Sequence, residues 1–256
     1  MLKGNYMELT ILGNNGTCPI EAGACSSYLV RTLSQKIVID MGNGSVANLQ
    51  HYCDLKDIDI IIISHLHFDH FADLIPLKYA LETRKCLGER IPMIDLYIPP
   101  MPQWLSEELS TNDVFNIQII AEDIKVHKGN ISISWRKVRH STASFAVRVE
   151  SGDSSFVYSS DTGECAELIE IARNADTFLC ESTFTGSGQD ARQSHHLSAY
   201  GAARTAEAAG VGKLLLTHFS EPSYPEVYTM QAREIFPHVV ATHMHQTYPI
   251  APSSRS

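Results

Sequence analysis

The stretch Ile60–His70 reads IIIISHLHFDH and joins a run of four isoleucines to a dense group of polar side chains. The isoleucines predict a buried β-strand over Ile58–Ser64, because β-branched residues favour strands. The next six positions hold four side chains that bind metals, namely His65, His67, Asp69 and His70. Surface histidines at a strand end are the simpler interpretation, but a chance HxHxDH directly after an apolar strand is rare. The pattern therefore predicts a metal site.

The spacing of these four side chains indicates how they would be arranged. Residues two apart on a strand face the same side, so His65 and His67 can project into one site. The chain then turns into a helix predicted over Phe71–Leu87, and the turn lets Asp69 and His70 reach a neighbouring position. One short peptide would thereby serve two adjacent metals.

Length and composition place this cluster in an ordinary globular protein. The chain has 256 residues, of which 44% are hydrophobic and 19% are charged. No repeat, low-complexity segment or linker divides it, so a single domain over residues 1–256 is predicted. The net charge of −9 and the absence of a Lys/Arg cluster in the sequence disfavour nonspecific binding to a nucleic-acid backbone.

Targeting signals and cysteines indicate a compartment. The sequence has neither a signal-peptide pattern nor a run of about 18 apolar residues, so we expect a cytoplasmic protein that does not bind membranes. The six cysteines lie far apart and form no CxxC pair, which is typical of reduced thiols.

Apolar patterns predict an α/β protein with two layers of sheet. Met7–Asp40 reads as a meander of three strands, and Phe115–Ser159 reads as strands joined by tight turns. From Cys165 onwards helices alternate with strands, with helices predicted over Cys165–Ala172 and Ser198–Ala209.

The motif SHLHFDH resembles the signature of the metallo-β-lactamase fold superfamily, and the resemblance extends from TILGNNGTCP at Thr10–Pro19 to LTHFS at Leu216–Ser220. It implies a four-layer αββα sandwich with metals at the edge of the sheets. Downstream, His140, Asp161 and His218 each follow a predicted strand, as further ligands of this fold do. Any one of them alone would be a plain polar residue, but the repeated placement favours a site.

The resemblance assigns seven ligands to two zinc ions per chain. His65, His67 and His140 would bind one ion, Asp69, His70 and His218 would bind the other, and Asp161 would bridge them. Imidazole and carboxylate without thiolate suit Zn²⁺, and the same ligands also suit Mn²⁺ or Fe. Asp40 in the turn DMGNG either orients a ligating histidine or is a simple turn residue.

The segments ESTF, HHLSAYGAARTAEAAG and KLLLTHFS are similar to the ribonuclease Z branch of that superfamily. A Glu and a His stand beside the metals in that branch, and the spacing to the following alanines matches His196 better than His195. The resemblance therefore implies that His196 is the proton donor and Glu181 its partner. The alternative is that both histidines are only polar residues before a helix whose N-cap is Ser198.

The chain also departs from ribonuclease Z. The arm by which those enzymes grip transfer RNA would lie between His140 and Asp161, where Ser141–Ser160 suffices only for a hairpin. Phe68 stands where a small residue is usual, and EPSY follows LTHFS where the family carries an Arg. Together with the net negative charge, these departures favour a small or cyclic phosphodiester as substrate, as in arm-less cyclic phosphodiesterases. The alternative substrate is an RNA 3′ end, cleaved as by a ribonuclease Z-type tRNA 3′ endonuclease. The resemblance to ribonuclease Z also implies a homodimer.

The predicted reaction is phosphodiester hydrolysis. A hydroxide activated by two zinc ions and hydrogen-bonded to Asp69 would attack phosphorus, while His196, held by Glu181, protonates the leaving group. A lactonase or thioesterase would use the same ligands against a carbonyl, but Glu181 with His196 favours phosphorus. A noncatalytic metal-binding scaffold would be favoured only if ligands were missing. His243 and His245 are expected to be exposed on a final strand, not to form a further metal site.

Overall fold

The isoleucine run forms an inner strand of a sheet, with one neighbouring strand on each side. The computed structural model describes residues 7–122, 124–186, 195–220 and 224–252. Within them, the first sheet contains β1 (Met7–Gly13), β2 (Ser27–Thr32), β3 (Lys36–Ile39), β4 (Ile60–Ile62), β5 (Ile94–Ile98), β6 (Phe115–Ile119) and, from near the C-terminus, β14 (Thr247–Pro249). Their spatial order is β14-β1-β2-β3-β4-β5-β6, and the strands from β3 to β6 run parallel.

A second sheet of the same size is built from the later part of the chain. Its strands are β7 (Lys125–Lys128), β8 (Ile131–Val138), β9 (Ser144–Ser151), β10 (Ser154–Tyr158), β11 (Thr177–Glu181), β12 (Lys213–Thr217) and β13 (Val239–Ala241). They lie in the order β13-β12-β11-β10-β9-β8-β7, and β10 to β13 are parallel. Because parallel strands end at the same edge of a sheet, residues that follow them are brought together there.

Helices cover the outer face of each sheet. The first sheet carries α1 (Ser45–Leu49), α2 (Phe68–Phe71), α3 (Leu74–Cys86) and α4 (Gln103–Leu109), and the second carries α5 (Ala166–Ala172), α6 (Ala199–Ala209) and α7 (Pro225–Arg233). In the ranges described, no helix combines the length and apolar character needed to cross a bilayer. The predicted four-layer αββα sandwich is confirmed.

The core between the two sheets holds them face to face. Alternate side chains of both sheets meet there, among them Leu9, Ile37, Ile60, Val147 and Leu179, all of them buried. Burying one such side chain contributes about 1.5–3 kcal/mol relative to leaving it in water.

An aromatic pair also crosses this core. The rings of Tyr28 and Tyr158 lie 4.9 Å apart, and Tyr28 Oη is 2.9 Å from Thr217 Oγ1 in the opposite sheet. The second contact lies next to His218, so it ties the first sheet to the end of β12 that carries a predicted ligand.

Two sequence predictions were wrong in their local structure. The helix predicted over Phe71–Leu87 is divided at Asp73, because its amide donates to Met41 O at 2.9 Å and not to the preceding helical turn, while its carboxylate accepts from Val46 N at 2.9 Å. His243 and His245 are exposed as predicted but lie in the connection between β13 and β14. A continuous strand is ruled out there because β13 and β14 belong to different sheets.

Candidate metal centre

Segments that directly follow four strands bring the seven predicted ligands together at one edge of the sandwich. These segments come after β4, β8, β10 and β12, and the first of them includes the short helix α2, which carries Asp69 and His70. Nitrogen and oxygen atoms lie within 4.8 Å of one another in three groups: His65, His67, His140 and Asp161; Asp69, His70 and His218; and Asp161, His196 and His218. The two sets that the sequence predicted are therefore present as two adjacent groups, whereas their roles as ligands stay a prediction.

The first group is a close cluster of imidazole nitrogens. His67 Nδ1 lies 3.2 Å from His65 Nε2 and 3.2 Å from His140 Nε2. Asp161 Oδ2 lies 3.7 Å from His65 Nε2. Three ring nitrogens that converge with one carboxylate oxygen form the donor set that Zn²⁺ prefers.

The second group surrounds the same carboxylate from the other side. Asp69 Oδ2 lies 3.4 Å from His218 Nε2 and 3.6 Å from His70 Nε2. Asp161 Oδ2 lies 3.3 Å and 3.4 Å from these same two nitrogens. Asp161 thus faces imidazoles of both groups, which is the position that a bridging ligand requires.

Two buried polar atoms without hydrogen-bond partners indicate whether a cation fits this site. His70 Nε2 and Asp161 Oδ1 are inaccessible to water, and neither has a hydrogen-bond partner within the described part of the chain. Buried polar atoms are rarely left in this condition, because the lost hydration costs about 1–3 kcal/mol per group. A bound metal ion would satisfy buried atoms of this kind, so the residues present fit a metal.

The charge states suit metal binding. Burial lowers the pKa of His65, His67 and His140, which keeps these rings in the neutral form that binds metals. Burial would raise the pKa of Asp161, but the neighbouring His218 and His70 outweigh it and hold that pKa well below its usual range. The first group therefore combines neutral imidazoles with an ionised carboxylate. Burial would lower the pKa of His70 in the second group, but Asp161 and Asp40 outweigh it and raise that pKa well above its usual range, so metal binding there would displace a proton.

Asp40 orients one of these imidazoles. Its Oδ2 lies 2.8 Å from His70 Nδ1 and accepts a hydrogen bond from Ser64 Oγ at 2.8 Å, while Oδ1 accepts from Ser64 N at 2.7 Å. Because Nδ1 of His70 is held in this way, Nε2 is turned towards the cluster. Of the two interpretations left open by the sequence, this geometry favours the orienting role over that of a simple turn residue.

Backbone groups hold two further predicted ligands. His140 Nδ1 donates to the carbonyl oxygen of His195 at 2.9 Å, and Thr17 N donates to Asp69 Oδ2 at 2.8 Å. Gly16 lies against His218, where an added Cβ would come within 2.9 Å of the ring. The sequence did not reveal these contacts, because a backbone donor or a close approach leaves no side-chain pattern.

The predicted acid pair lies beside the clusters. His196 Nδ1 is 3.0 Å from Glu181 Oε1 and 3.8 Å from Asp161 Oδ2. Glu181 is fully buried, and backbone amides of Thr162 and Leu197 donate to it at 2.8 Å and 3.1 Å. Burial lowers the pKa of His196, but the hydrogen bond that Nδ1 donates to Glu181 and the charge of that carboxylate outweigh this and raise the pKa to about 9. His195 contributes its backbone carbonyl to His140, so the geometry distinguishes the two histidines.

Comparison with known proteins agrees with this geometry. Residues 35–219 match a family model described as a Beta-lactamase superfamily domain. The chain belongs to this superfamily. Its paired groups of His and Asp side chains are those of a metal-dependent hydrolase of that fold.

Three relatives within the superfamily cover most of the chain. An uncharacterized protein of Mycobacterium leprae, ML1173, is 34% identical and covers 83% of this chain and 77% of its own length. The probable metallo-hydrolase YhfI of Bacillus subtilis is 26% identical over 90% of this chain and 94% of its own. The crystal structure of YhfI superposes with a TM-score of 0.89 over 95% of this chain and 99% of that one. Ribonuclease Z of Clostridium tetani is 26% identical over 90% of this chain and 94% of its own.

Proposed function

We propose that this protein is a metal-dependent phosphodiesterase that hydrolyses a small or cyclic phosphodiester with two zinc ions per chain. The observation that carries this proposal is the Glu181–His196 pair, which lies 3.0 Å apart and next to the candidate ligand Asp161. A metal site alone would suit many hydrolytic reactions. A buried carboxylate that orients a partly exposed imidazole at its edge adds a proton donor.

The leaving group explains why a proton donor favours a phosphodiester over a thioester. The alkoxide released from an alkyl phosphodiester is strongly basic and needs a proton as its bond to phosphorus breaks. A thiolate released from a thioester is far less basic and needs none. Because Nδ1 of His196 is held by Glu181, Nε2 is the atom that would pass its proton to the departing oxygen. Water adds to phosphorus, and the products are a phosphomonoester and an alcohol.

The candidate ligands would hold the metals in the two groups described above. Two bound cations would supply a nucleophile from water at neutral pH and neutralise charge on the phosphate oxygens. Asp69 would accept a hydrogen bond from the attacking water and orient it. Thr17 N supports this role, because it fixes one oxygen of the Asp69 carboxylate.

The segment between His140 and Asp161 supports a small substrate. It contains only the hairpin of β9 and β10, as the sequence predicted, and therefore no arm for transfer RNA. The net charge of −9 also disfavours a long polyanion. Residues 221–223, where the sequence lacks the expected Arg, lie outside the described residues. The likeness to ribonuclease Z keeps an RNA 3′ end as the second candidate.

Hydrolysis by the zinc-loaded protein tests the proposal. The substrates are bis(p-nitrophenyl) phosphate, a 3′,5′-cyclic nucleotide, a thioester and a lactone, each measured with wild type, His196→Ala and His195→Ala. His196→Ala removes the proton donor and should lower kcat for the cyclic nucleotide by about 10²–10⁴-fold. The effect on bis(p-nitrophenyl) phosphate should be smaller, because p-nitrophenolate is a weak base.

His195→Ala is the matched control, since it keeps the backbone carbonyl that accepts from His140 and removes a ring that meets the His140 ring only edge-on, with centroids 6.1 Å apart. Its activity should be near that of wild type. Turnover of only the thioester or the lactone would contradict the proposal and assign the protein to carbonyl hydrolysis. Turnover of RNA 3′ ends without turnover of small diesters would favour the second candidate.

A further inference from the structure

One hydroxyl group lies between the candidate metal centre and the acid pair. Thr183 follows β11 by two residues and is 8% exposed. Its Oγ1 lies 2.8 Å from His218 Nδ1, 2.8 Å from Glu181 Oε2 and 3.3 Å from His196 Nδ1. A single atom therefore contacts a predicted ligand and both members of the acid pair.

The chemistry of these partners fixes the direction of the hydrogen bonds. A hydroxyl has one proton to donate, and a carboxylate can only accept, so the Thr183 proton goes to Glu181 Oε2. The lone pairs of Oγ1 then accept the Nδ1 proton of His218. This arrangement puts the lone pair of His218 on Nε2, which is the nitrogen that faces Asp69 and Asp161. The hydrogen bonds thus run in one direction, from His218 through Thr183 to Glu181.

The same carboxylate completes the connection to the proton donor. Glu181 accepts from Thr183 through Oε2 and faces His196 Nδ1 through Oε1 at 3.0 Å. The rings of His196 and His218 are nearly parallel, with an interplanar angle of 11° and centroids 5.6 Å apart. Hydrogen bonds in such a chain polarise one another, so a change at His218 alters the hydrogen bond between Glu181 and His196.

We propose that Thr183 is a positioning residue whose hydroxyl holds His218 ready for metal binding and, through Glu181, links that ligand to the orientation of His196. The metal-binding part of this proposal is independent of the substrate, whereas the link to His196 rests on the proposed phosphodiesterase function. Thr183→Val removes the hydroxyl and keeps the shape of the side chain. Thr183→Ser keeps the hydroxyl and removes a methyl group.

The first measurement is zinc affinity by competition with a chromophoric chelator, without any substrate. Removing a group that orients a ligand lowers metal affinity by about 10–100-fold, and we expect Thr183→Val to show this loss for one zinc ion. Thr183→Ser should bind zinc as wild type does. Thr205→Val is the matched control, because Thr205 is also a buried threonine but its hydroxyl donates to Gly201 O inside α6.

The second measurement is a double-mutant cycle on kcat for a cyclic nucleotide at saturating zinc. If Thr183 acts through His196, Thr183→Val should lower kcat in the wild-type background and have a smaller effect in the His196→Ala background. Equal effects in both backgrounds would overturn the link to the acid. If the valine variant does not fold, Thr183→Ala replaces it in both measurements.

The two proposals fail in different ways. Unchanged zinc affinity in Thr183→Val, or an equal loss in Thr183→Val and Thr183→Ser, would overturn the positioning role, whatever the substrate is. Weakened zinc binding in Thr183→Val together with no hydrolysis of any phosphodiester by wild type would support the metal-binding part. That same result would overturn the phosphodiesterase function and the link to His196.

Discussion

Asp40 and His70 are both fully buried and face each other at the ends of neighbouring segments, with Asp40 Oδ2 2.8 Å from His70 Nδ1. Asp40→Asn should lower zinc affinity by about 10–100-fold, because the ring loses the carboxylate that orients it and makes it more basic. Asn tolerates the left-handed backbone of residue 40, whose φ is 58°, so the fold should persist. Chelator competition measures the loss.

The control for this variant is Asp153→Asn, which lies in the exposed turn at the far end of the β9–β10 hairpin. It removes the same charge from the chain and should leave zinc affinity unchanged. Equal zinc binding by Asp40→Asn and wild type would show that His70 is oriented by other contacts.

The number of metals per chain should respond differently to two ligand substitutions. Metal analysis after gel filtration should find two zinc ions in wild type and about one in His65→Gln, because His65 belongs to one group only. Asp161→Ala should retain less than one, because Asp161 faces imidazoles of both groups. A single zinc ion in the wild-type protein would contradict the two-metal proposal.

The metal-free protein should show a pH dependence that comes from His196. Its pKa of about 9 in the folded state lies above the ordinary 6.5, so its pairing with Glu181 stabilises the fold fully below pH 6.5. That stabilisation is lost as the pH rises from 6.5 to about 9. The difference in unfolding free energy between wild type and His196→Asn, from denaturant titrations, should therefore shrink across this range. A difference that does not vary with pH would contradict the raised pKa.

Gly16→Ala should damage the metal centre although no candidate ligand is substituted. The new Cβ would lie 2.9 Å from His218 Cε1 and 3.0 Å from Nδ1, so the ring must shift. We expect weaker zinc binding by chelator competition, while the melting temperature of the metal-free protein changes little. Wild-type affinity in this variant would mean that the loop around Gly16 moves in place of His218.

The sequence predicted most of the strands, the two-sheet sandwich and the residues that meet at its edge, because each of these has a local signature. Isoleucine runs mark buried strands, and polar residues directly after them mark strand ends. The helix α7 was missed, although Pro225 at its first turn is a known helix start, because its apolar stripe is narrow. The contacts that hold Asp69 and His218 were missed. Thr17 binds Asp69 through its backbone amide, which every residue except proline has, and Thr183 reaches His218 only because the fold brings two distant segments together.

Several expectations from the sequence stay predictions. They include the extent of a single domain, the homodimer, the cytoplasmic location and the identity of the metal. Gel filtration with light scattering would measure the oligomeric state.

The candidate ligands come from both sheets: His65 to His70 follow β4 in the first, while His140, Asp161 and His218 follow strands of the second. A bound metal pair would therefore act as a cross-link between parts of the chain that are far apart in sequence. Such a cross-link can form only after the two sheets have docked, so it would contribute little to the folding rate. It would mainly slow unfolding, which gives the metal-loaded protein kinetic stability that the metal-free chain lacks.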